Sequence, residues 1–283
     1  MAGNNSEVAA ADAYCRSLVT RHYENFAVAS WFLSSRVRRD LQRVYAFCRT
    51  TDDLGDESGA DALQRLARWR REVEEFFGGT PVLHPVLVAL RDTVARVGLG
   101  AQPFLDLIAA NEQDQRIATY ATWTDLRAYC MLSAAPVGRI VLRVFGLTDP
   151  ALEPLSDDVC IGLQLANFAQ DVARDARIGR TYLLGEDVTA LGIAGATQAM
   201  CERARALLGS GETLERAAPP ALRLQLSLYR LGGLAICDAI GRDGYRTDLR
   251  RPVVSKRVKA RLLARGLLAG AADIRGGHRA QHA

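Results

Sequence analysis

Apolar residues recur along most of this chain at helical spacing, and nowhere in the strict alternation of a half-buried strand. The periodic part begins after a polar start, residues 1–7, where fraying is expected. Short breaks then divide it: residues 57–61, Gly78-Gly79-Thr80-Pro81, Gly98-Leu99-Gly100, the stretch from Asp149-Pro150 to Pro154, and Pro219-Pro220. Residues 177–195 read as a longer irregular connection. Between the breaks lie helical stretches of about 12 to 22 residues. The pattern predicts one all-α domain over residues 8–270, followed by a disordered, Gly/Arg/His-rich basic tail at 271–283.

Two of these helices carry a polar stripe. The first, expected over 36–56, leads into Thr51-Asp52-Asp53-Leu54-Gly55-Asp56-Glu57 and sets Tyr45, Arg49, Asp52 and Asp56 on one face. The second, expected over 156–173, takes Ser156, followed by Asp157 and Asp158, as its start signal. Gln164, Asn167, Asp171 and Asp175 form its stripe, and most of the residues around them are apolar. A helix apolar on nearly every other side is expected to be buried. A buried polar group left unsatisfied costs roughly 1–3 kcal/mol, so the stripe is expected to line a cavity. The plain alternatives are a solvated helix face and, for Arg49, an ion pair with Asp52 three residues on. Finding the arrangement twice weighs against them.

Each stripe holds two aspartates four residues apart, Asp52 with Asp56 and Asp171 with Asp175. Stacked one turn apart, like charges repel, and a cation between them removes the penalty. Mg²⁺ takes oxygen ligands and is usually held by one or two carboxylates plus substrate phosphates. Two such pairs therefore point to Mg²⁺ and a diphosphate substrate, with Arg49 and Arg180 as bidentate partners for its oxygens. Loss of diphosphate from an allylic or cyclopropylcarbinyl carbon leaves a carbocation that must be kept from indiscriminate water. Phe26, Tyr45, Phe47, Tyr129 and Phe168 are the candidate wall aromatics, with core packing as the plain reading of each one alone.

Composition narrows the field. The chain of 283 residues is 49% hydrophobic and 24% charged, rich in Ala, Leu and Arg, and poor in β-branched runs, which favours helices. A net charge of +4 is too mild for a dedicated nucleic-acid binder. Six cysteines without a C-x-x-C pair are expected as free thiols in a reducing compartment. With His278 and His282 in the tail, only His22 and His84 remain, too few for a His-rich zinc site. No secretory leader and no apolar run near the roughly 20 residues of a membrane span is visible, so a cytoplasmic protein is expected. No dinucleotide fingerprint follows a strand pattern.

Two longer segments carry a family resemblance: Val44-Tyr45-Ala46-Phe47-Cys48-Arg49-Thr50-Thr51-Asp52-Asp53-Leu54-Gly55-Asp56, and Leu163-Gln164-Leu165-Ala166-Asn167-Phe168-Ala169-Gln170-Asp171-Val172-Ala173-Arg174-Asp175 with Gly179-Arg180-Thr181-Tyr182-Leu183 after it. Over residues 14–268 the chain resembles a trans-isoprenyl diphosphate synthase of the squalene/phytoene synthase family. The resemblance implies an isoprenoid synthase fold, a helical bundle around a central cavity. It implies Mg²⁺ on Asp52, Asp56, Asp171 and Asp175, with Asn167 at the same metal. It assigns prenyl diphosphate contacts to Arg49, Gln164, Asn167, Arg180, Tyr182, Phe26 and Tyr245, and catalytic roles to Tyr129, Tyr45 and Arg49.

Finer features look like the hopanoid-pathway subgroup, which converts presqualene diphosphate and water to hydroxysqualene with release of diphosphate. His22-Tyr23-Glu24-Asn25-Phe26 stands where most relatives have Ser-x-Ser-Phe, Ala134-Ala135-Pro136-Val137-Gly138 where most have Ala-Gly-Thr-Val-Gly, and Gln170 where most have Arg. Tyr120-Ala121-Thr122-Trp123 and residues 129–139 look like that subgroup, whereas 111–116 depart from it. Partner enzymes of squalene and hopanoid synthesis are implied with it. Head-to-head condensation of two farnesyl or geranylgeranyl diphosphates is the alternative activity, and a non-catalytic scaffold on the same fold would have no use for two intact acid pairs.

Residues 246–265 hold eight Lys or Arg and one acid, Asp248, with Val254, Val258 and Leu262 four residues apart. A solvated face of a last helix is the plain reading, and a peripheral contact with anionic membrane the sharper one.

Overall fold

The computed structural model describes residues 2–21 and 33–255, with 257, 258, 260, 261 and 264 beyond them. Phe26, Leu262 and the tail 271–283 lie outside the described residues. Regular structure among them is helical; the one β-feature is an isolated parallel bridge, Thr119 with Thr181. No described helix is long and apolar enough to cross a membrane. The chain divides into two compact units, Met1–Ile117 with Met131–Asp149, and Ala118–Cys130 with Pro150–Ala283.

The first unit contains α1 (Ala2–Arg21), α2 (Ser35–Asp56), α3 (Ala62–Phe77), α4 (Pro85–Val97) and α5 (Gln102–Asp114). Helix α2 starts where Ser34 accepts the Val37 N–H on its side chain, an N-cap. Its apolar face, Leu41, Val44 and Phe47, is buried against α1, α3, α4 and α5. Phe47 meets Phe104 edge-on at 4.9 Å and Trp69 at 5.5 Å, and the Trp69 indole N–H donates to the Thr51 hydroxyl at 3.0 Å. Helix α1 begins at Ala2, inside the polar start of the chain. Once Ala11, Cys15 and Leu18 are packed, extending a formed helix costs little.

His84 opens α4: its Nδ1 accepts the Val86 N–H at 3.3 Å, and Pro85 fills the first turn. Burial lowers the pKa of this ring from its ordinary 6.5, and protonation would also remove the capping acceptor. The unfolded chain binds the proton near pH 6.5 and the folded chain only below that. His84 therefore contributes stability that is complete above 6.5 and is lost as pH falls from there toward the lowered folded value. His84→Asn keeps a capping oxygen and does not titrate, so the loss of stability as pH falls below 6.5 should flatten in urea titrations of the variant. A slope as steep as the wild type's would contradict this.

In the same unit α7 (Ala135–Val144) packs on α2, α4 and α5. Residues 123–130 of α6 (Trp123–Ser133) belong to the second unit. That unit is built on α8 (Leu152–Gln170), α9 (Val172–Arg177), α10 (Gly185–Ala217) and α11 (Pro220–Arg242). Helices α8, α10 and α11 pack mutually, burying Val159, Ile161, Leu165, Ala166 and Ala169 of α8. Gly162 lets α10 in: a Cβ there would stand 2.9 Å from Leu208 Cγ and 3.1 Å from the Ala204 carbonyl oxygen.

Three sequence expectations change here. Helix α8 begins at Leu152, and Ser156 lies buried inside it instead of capping it. Pro154 sits in the first turn, where its missing N–H has no helical partner to lose. The irregular connection is shorter than 177–195, because α10 starts at Gly185 with Glu186 and Asp187 in its first turn, where the helix dipole favours acids. A break follows at Gly192 (φ 68°, ψ 177°), a conformation a side chain would oppose. Past α11, Val254 packs with Val258 against Ala235, Ile236 and Ala239, although Val254 itself is not helical.

Candidate active site

The first acidic motif ends α2. Asp52 and Asp56 stand exposed in its last turns, at the negative end of the helix dipole, and no basic residue lies in the last turn to offset them. Asp52 accepts a hydrogen bond from Asn111 Nδ2 at 3.3 Å. Gly55 makes this approach possible, since a Cβ there would meet Asn111 Oδ1 at 2.8 Å. Gln115 adds a bond to the Gly55 carbonyl at 3.1 Å. Asp52 is exposed by surface area, yet protein crowding strips hydration from its carboxylate, and with the charges of Asp56 and Asp53 this pushes its pKa up to about 6.

Arg49 is not bonded to Asp52. Its Nη2 closes on Asp53 Oδ1, one turn away, and lies 3.5 Å from Glu57 Oε1, while its charge still acts on Asp52 and lowers that pKa. Both i+3 and i+4 neighbours are within reach on a helix, and Arg49 takes the i+4 partner instead of the i+3 pair expected from the sequence. Arg49 Nε is buried and makes no hydrogen bond, which leaves a donor for an anionic ligand. Tyr45 is half-buried on the same helix, its hydroxyl pKa raised first by burial, against the lowering effect of Arg49.

The second motif lies at a joint. Helix α8 stops at Gln170, Asp171 turns out of helical geometry (φ −101°, ψ 14°), and the short α9 follows. Asp171 and Asp175 are thus not on one continuous helix, as 156–173 with its extension would require. The helical bonding order nevertheless crosses the joint: the Asp171 N–H donates to the Asn167 carbonyl and the Asp175 N–H to the Asp171 carbonyl, both at 2.9 Å. Gln164, Asp171 and Asp175 are half-buried and Asn167 is exposed. The carboxylate of Asp171 is held by Arg251, with Arg174 4.0 Å away.

Next to this joint lies a group of rings. Phe168 of α8 stacks on Tyr182 with centroids 3.8 Å apart and planes 7° from parallel. Tyr129 lies 5.8 Å from Tyr182 and 6.4 Å from Phe168, and Tyr120 joins at 5.3 Å from Tyr129. The register is fixed by the Thr119–Thr181 bridge and by the Thr181 N–H, which donates to the Ala118 carbonyl at 2.7 Å. Arg180, half-buried, precedes this bridge and donates its N–H to the Asp175 carbonyl at 2.9 Å. Tyr245 adopts a left-handed backbone (φ 59°), rare for a residue with a side chain, and its ring covers Gly241. Asn111, Tyr120 and Arg251 were absent from the sequence-derived site; each is placed by a contact distant in sequence.

The residues suit Mg²⁺ in one respect that can be tested on this structure. The proton affinity of Asp52 is raised first by burial and then by the charges of Asp56 and Asp53, so three carboxylates stand close together at the end of α2, where a divalent cation would relieve their repulsion. No group of three or more His, Cys, Asp or Glu able to hold a metal occurs among the described residues. A metal here would take one or two carboxylates and fill its remaining positions from phosphate and water, as Mg²⁺ commonly does.

A family model for squalene/phytoene synthase matches residues 19–258. The hydroxysqualene synthase of Rhodopseudomonas palustris is 33% identical over 232 residues, 77% of this chain and 76% of that protein. The phytoene synthase of Arthrospira platensis is 33% identical over 194 residues, and the match spans 62% of each. The chain spans 44% of the length of a chloroplastic phytoene synthase of Zea mays. Among solved structures, the squalene synthase HpnC of Alicyclobacillus acidocaldarius superposes with a TM-score of 0.80 at 42% identity, covering 85% of this chain and 96% of that one. A dehydrosqualene synthase in complex with ligand superposes with a TM-score of 0.84 at 22% identity over 95% of this chain and 99% of that one, a likeness of fold. The architecture is the all-α isoprenoid synthase fold.

Proposed function

The chain belongs to the squalene/phytoene synthase family, and from that premise we propose that it converts presqualene diphosphate and water to hydroxysqualene and diphosphate. The observation that carries this reading is the join of an acidic motif to stacked rings within one unit: Asn167 and Asp171 flank Phe168, which lies on Tyr182 beside Tyr129. One side of that join suits a departing diphosphate, the other a carbocation.

Asp52 and Asp56 in the first unit, and Asp171 and Asp175 in the second, are the residues that would hold Mg²⁺, which would supply charge neutralisation for a diphosphate. Arg49 in the first unit, through its unsatisfied Nε, and Arg180 in the second would each bind diphosphate oxygens beside the acid pair of its own unit. The C–O bond breaks with its electron pair going to diphosphate. The faces of Phe168, Tyr182 and Tyr129 stabilise the positive carbon, each by about 0.5–2 kcal/mol. Packed aromatic walls limit water to the molecule that forms the new C–O bond, and the proton it releases passes to solvent. In this reading Tyr45 adds a polar group beside Asp52 on α2, and Gln164 one beside Asn167 on α8.

A condensation of two prenyl diphosphates is the second reading, favoured by the phytoene synthase likeness of equal identity. Incubation with Mg²⁺ and either presqualene diphosphate or farnesyl diphosphate, with products identified by mass, separates the two. Hydroxysqualene from presqualene diphosphate, with no turnover of farnesyl diphosphate, is the expected result. Condensation of farnesyl diphosphate selects the second reading, and no release of diphosphate from either substrate contradicts both.

A further inference from the structure

Residues 246–252 run across the second acidic motif and are fastened to it on both sides. The buried Thr247 accepts the Ala173 N–H on its carbonyl at 3.2 Å, and the Pro252 carbonyl accepts from the buried Gln170 side chain at 2.7 Å. Between these anchors the Arg251 guanidinium forks onto Asp171. Its Nε donates to Oδ1, its Nη2 to Oδ2 at 3.3 Å, and the same Nη2 to Gln170 Oε1 at 3.0 Å. Two neighbouring arginines are committed elsewhere, Arg246 to Asp248 and Arg250 to Asp243.

We propose that Arg251 is a positioning residue of the diphosphate site: it occupies Asp171 before metal arrives, gives that carboxylate up to Mg²⁺, and turns its fork to the diphosphate. The proposal rests on the reading of Asp171 as a metal ligand. A guanidinium and a divalent ion cannot both take the same two oxygens in full, and the smaller, doubly charged ion prevails. Release is easy because the Arg251 side chain is 50% exposed, so the pair is screened by water. The strap keeps the released group near, since Gln170 still holds Nη2 and Pro252 still fixes the backbone. A planar fork then matches two phosphate oxygens at once, which a lysine cannot do. Gln170 fits this arrangement: its neutral amide carries the guanidinium without competing for the anion.

The test is binding of Mn²⁺ to the full chain without substrate, followed by electron paramagnetic resonance, and then binding of inorganic pyrophosphate at saturating Mn²⁺. Arg251→Ala should bind Mn²⁺ about threefold more tightly, having lost a competing cation, and pyrophosphate about tenfold more weakly. Arg251→Lys should restore Mn²⁺ binding to the wild-type value, because the charge is back, and pyrophosphate binding only in part. Unchanged affinities in Arg251→Ala overturn the proposal. So does a parallel fall in both affinities with a lower thermal midpoint, which a purely structural strap would produce. Asp171→Asn separates the premise from the inference. If it binds Mn²⁺ as the wild type does, the metal reading fails. If it loses Mn²⁺ while Arg251→Ala behaves as wild type, only the role of Arg251 fails.

Discussion

Asp171→Asn should lower kcat/KM for prenyl diphosphate turnover about a thousandfold while the protein stays folded. The substitution preserves shape and both backbone bonds at the joint, from the Asp171 N–H to Asn167 and from the Asp175 N–H to the Asp171 carbonyl. It removes the negative charge. Neutralisation of a developing oxyanion by a metal ion is worth several kcal/mol, and about 4 kcal/mol corresponds to a thousandfold in rate. The cost to stability is small, because Arg251, the partner of this carboxylate, is half exposed, and such pairs contribute about 0–1 kcal/mol. Steady-state kinetics beside a thermal melt reads both effects. Activity within tenfold of wild type with an unchanged melt would remove Asp171 from the metal site.

The second large effect falls on stability. Arg43, 3% exposed, ties three helices of the first unit together. Its Nε and Nη2 donate to both oxygens of Asp12 on α1, at 2.8 and 3.1 Å. Its Nη1 donates to Thr93 at 3.0 Å and to Asp92 at 3.1 Å, both on α4. The Thr93 hydroxyl in turn donates to the buried Asp40 at 2.7 Å. Arg43→Met would keep most of the apolar stem and leave Asp12 buried without its counter-ion. Breaking a buried pair from one side costs about 3–5 kcal/mol, more than replacing both partners by apolar groups. Urea unfolding should show that loss, and Arg43→Met with Asp12→Leu should recover part of it. A single variant within 1 kcal/mol of wild type would mean that water reaches and solvates the network.

The first motif was legible because local rules agreed. Leu41, Val44 and Phe47 repeat with helical period, and the helix ends at Asp56 as the 36–56 pattern required. The start of α8 was not, because a proline in a first turn looks like a break, although it costs no hydrogen bond there. The joint at Asp171 left no mark, since the apolar pattern runs on through Val172 while the backbone turns. Site residues were individually visible by type and spacing. Their partners were not: Asn111 reaches Asp52 from 59 residues away, and Arg251 reaches Asp171 from 80. Periodicity carries no information at such separations. Two signals pointed to Arg251 without identifying it, the basic stretch 246–265 and the glutamine at position 170. Arg43 is similar: its neighbour Asp40 can be read off one helix, whereas Asp12 comes from another.

The account stands on aspartate-bound Mg²⁺ as the grip on diphosphate. Calorimetric titration of inorganic pyrophosphate into the wild-type protein, Asp52→Asn and Asp171→Asn, with and without Mg²⁺, measures that grip without any assumption about the hydrocarbon. Binding that needs Mg²⁺ and weakens at least about tenfold in each variant is the result expected. Equal binding in the absence of Mg²⁺, or in both variants, would contradict it.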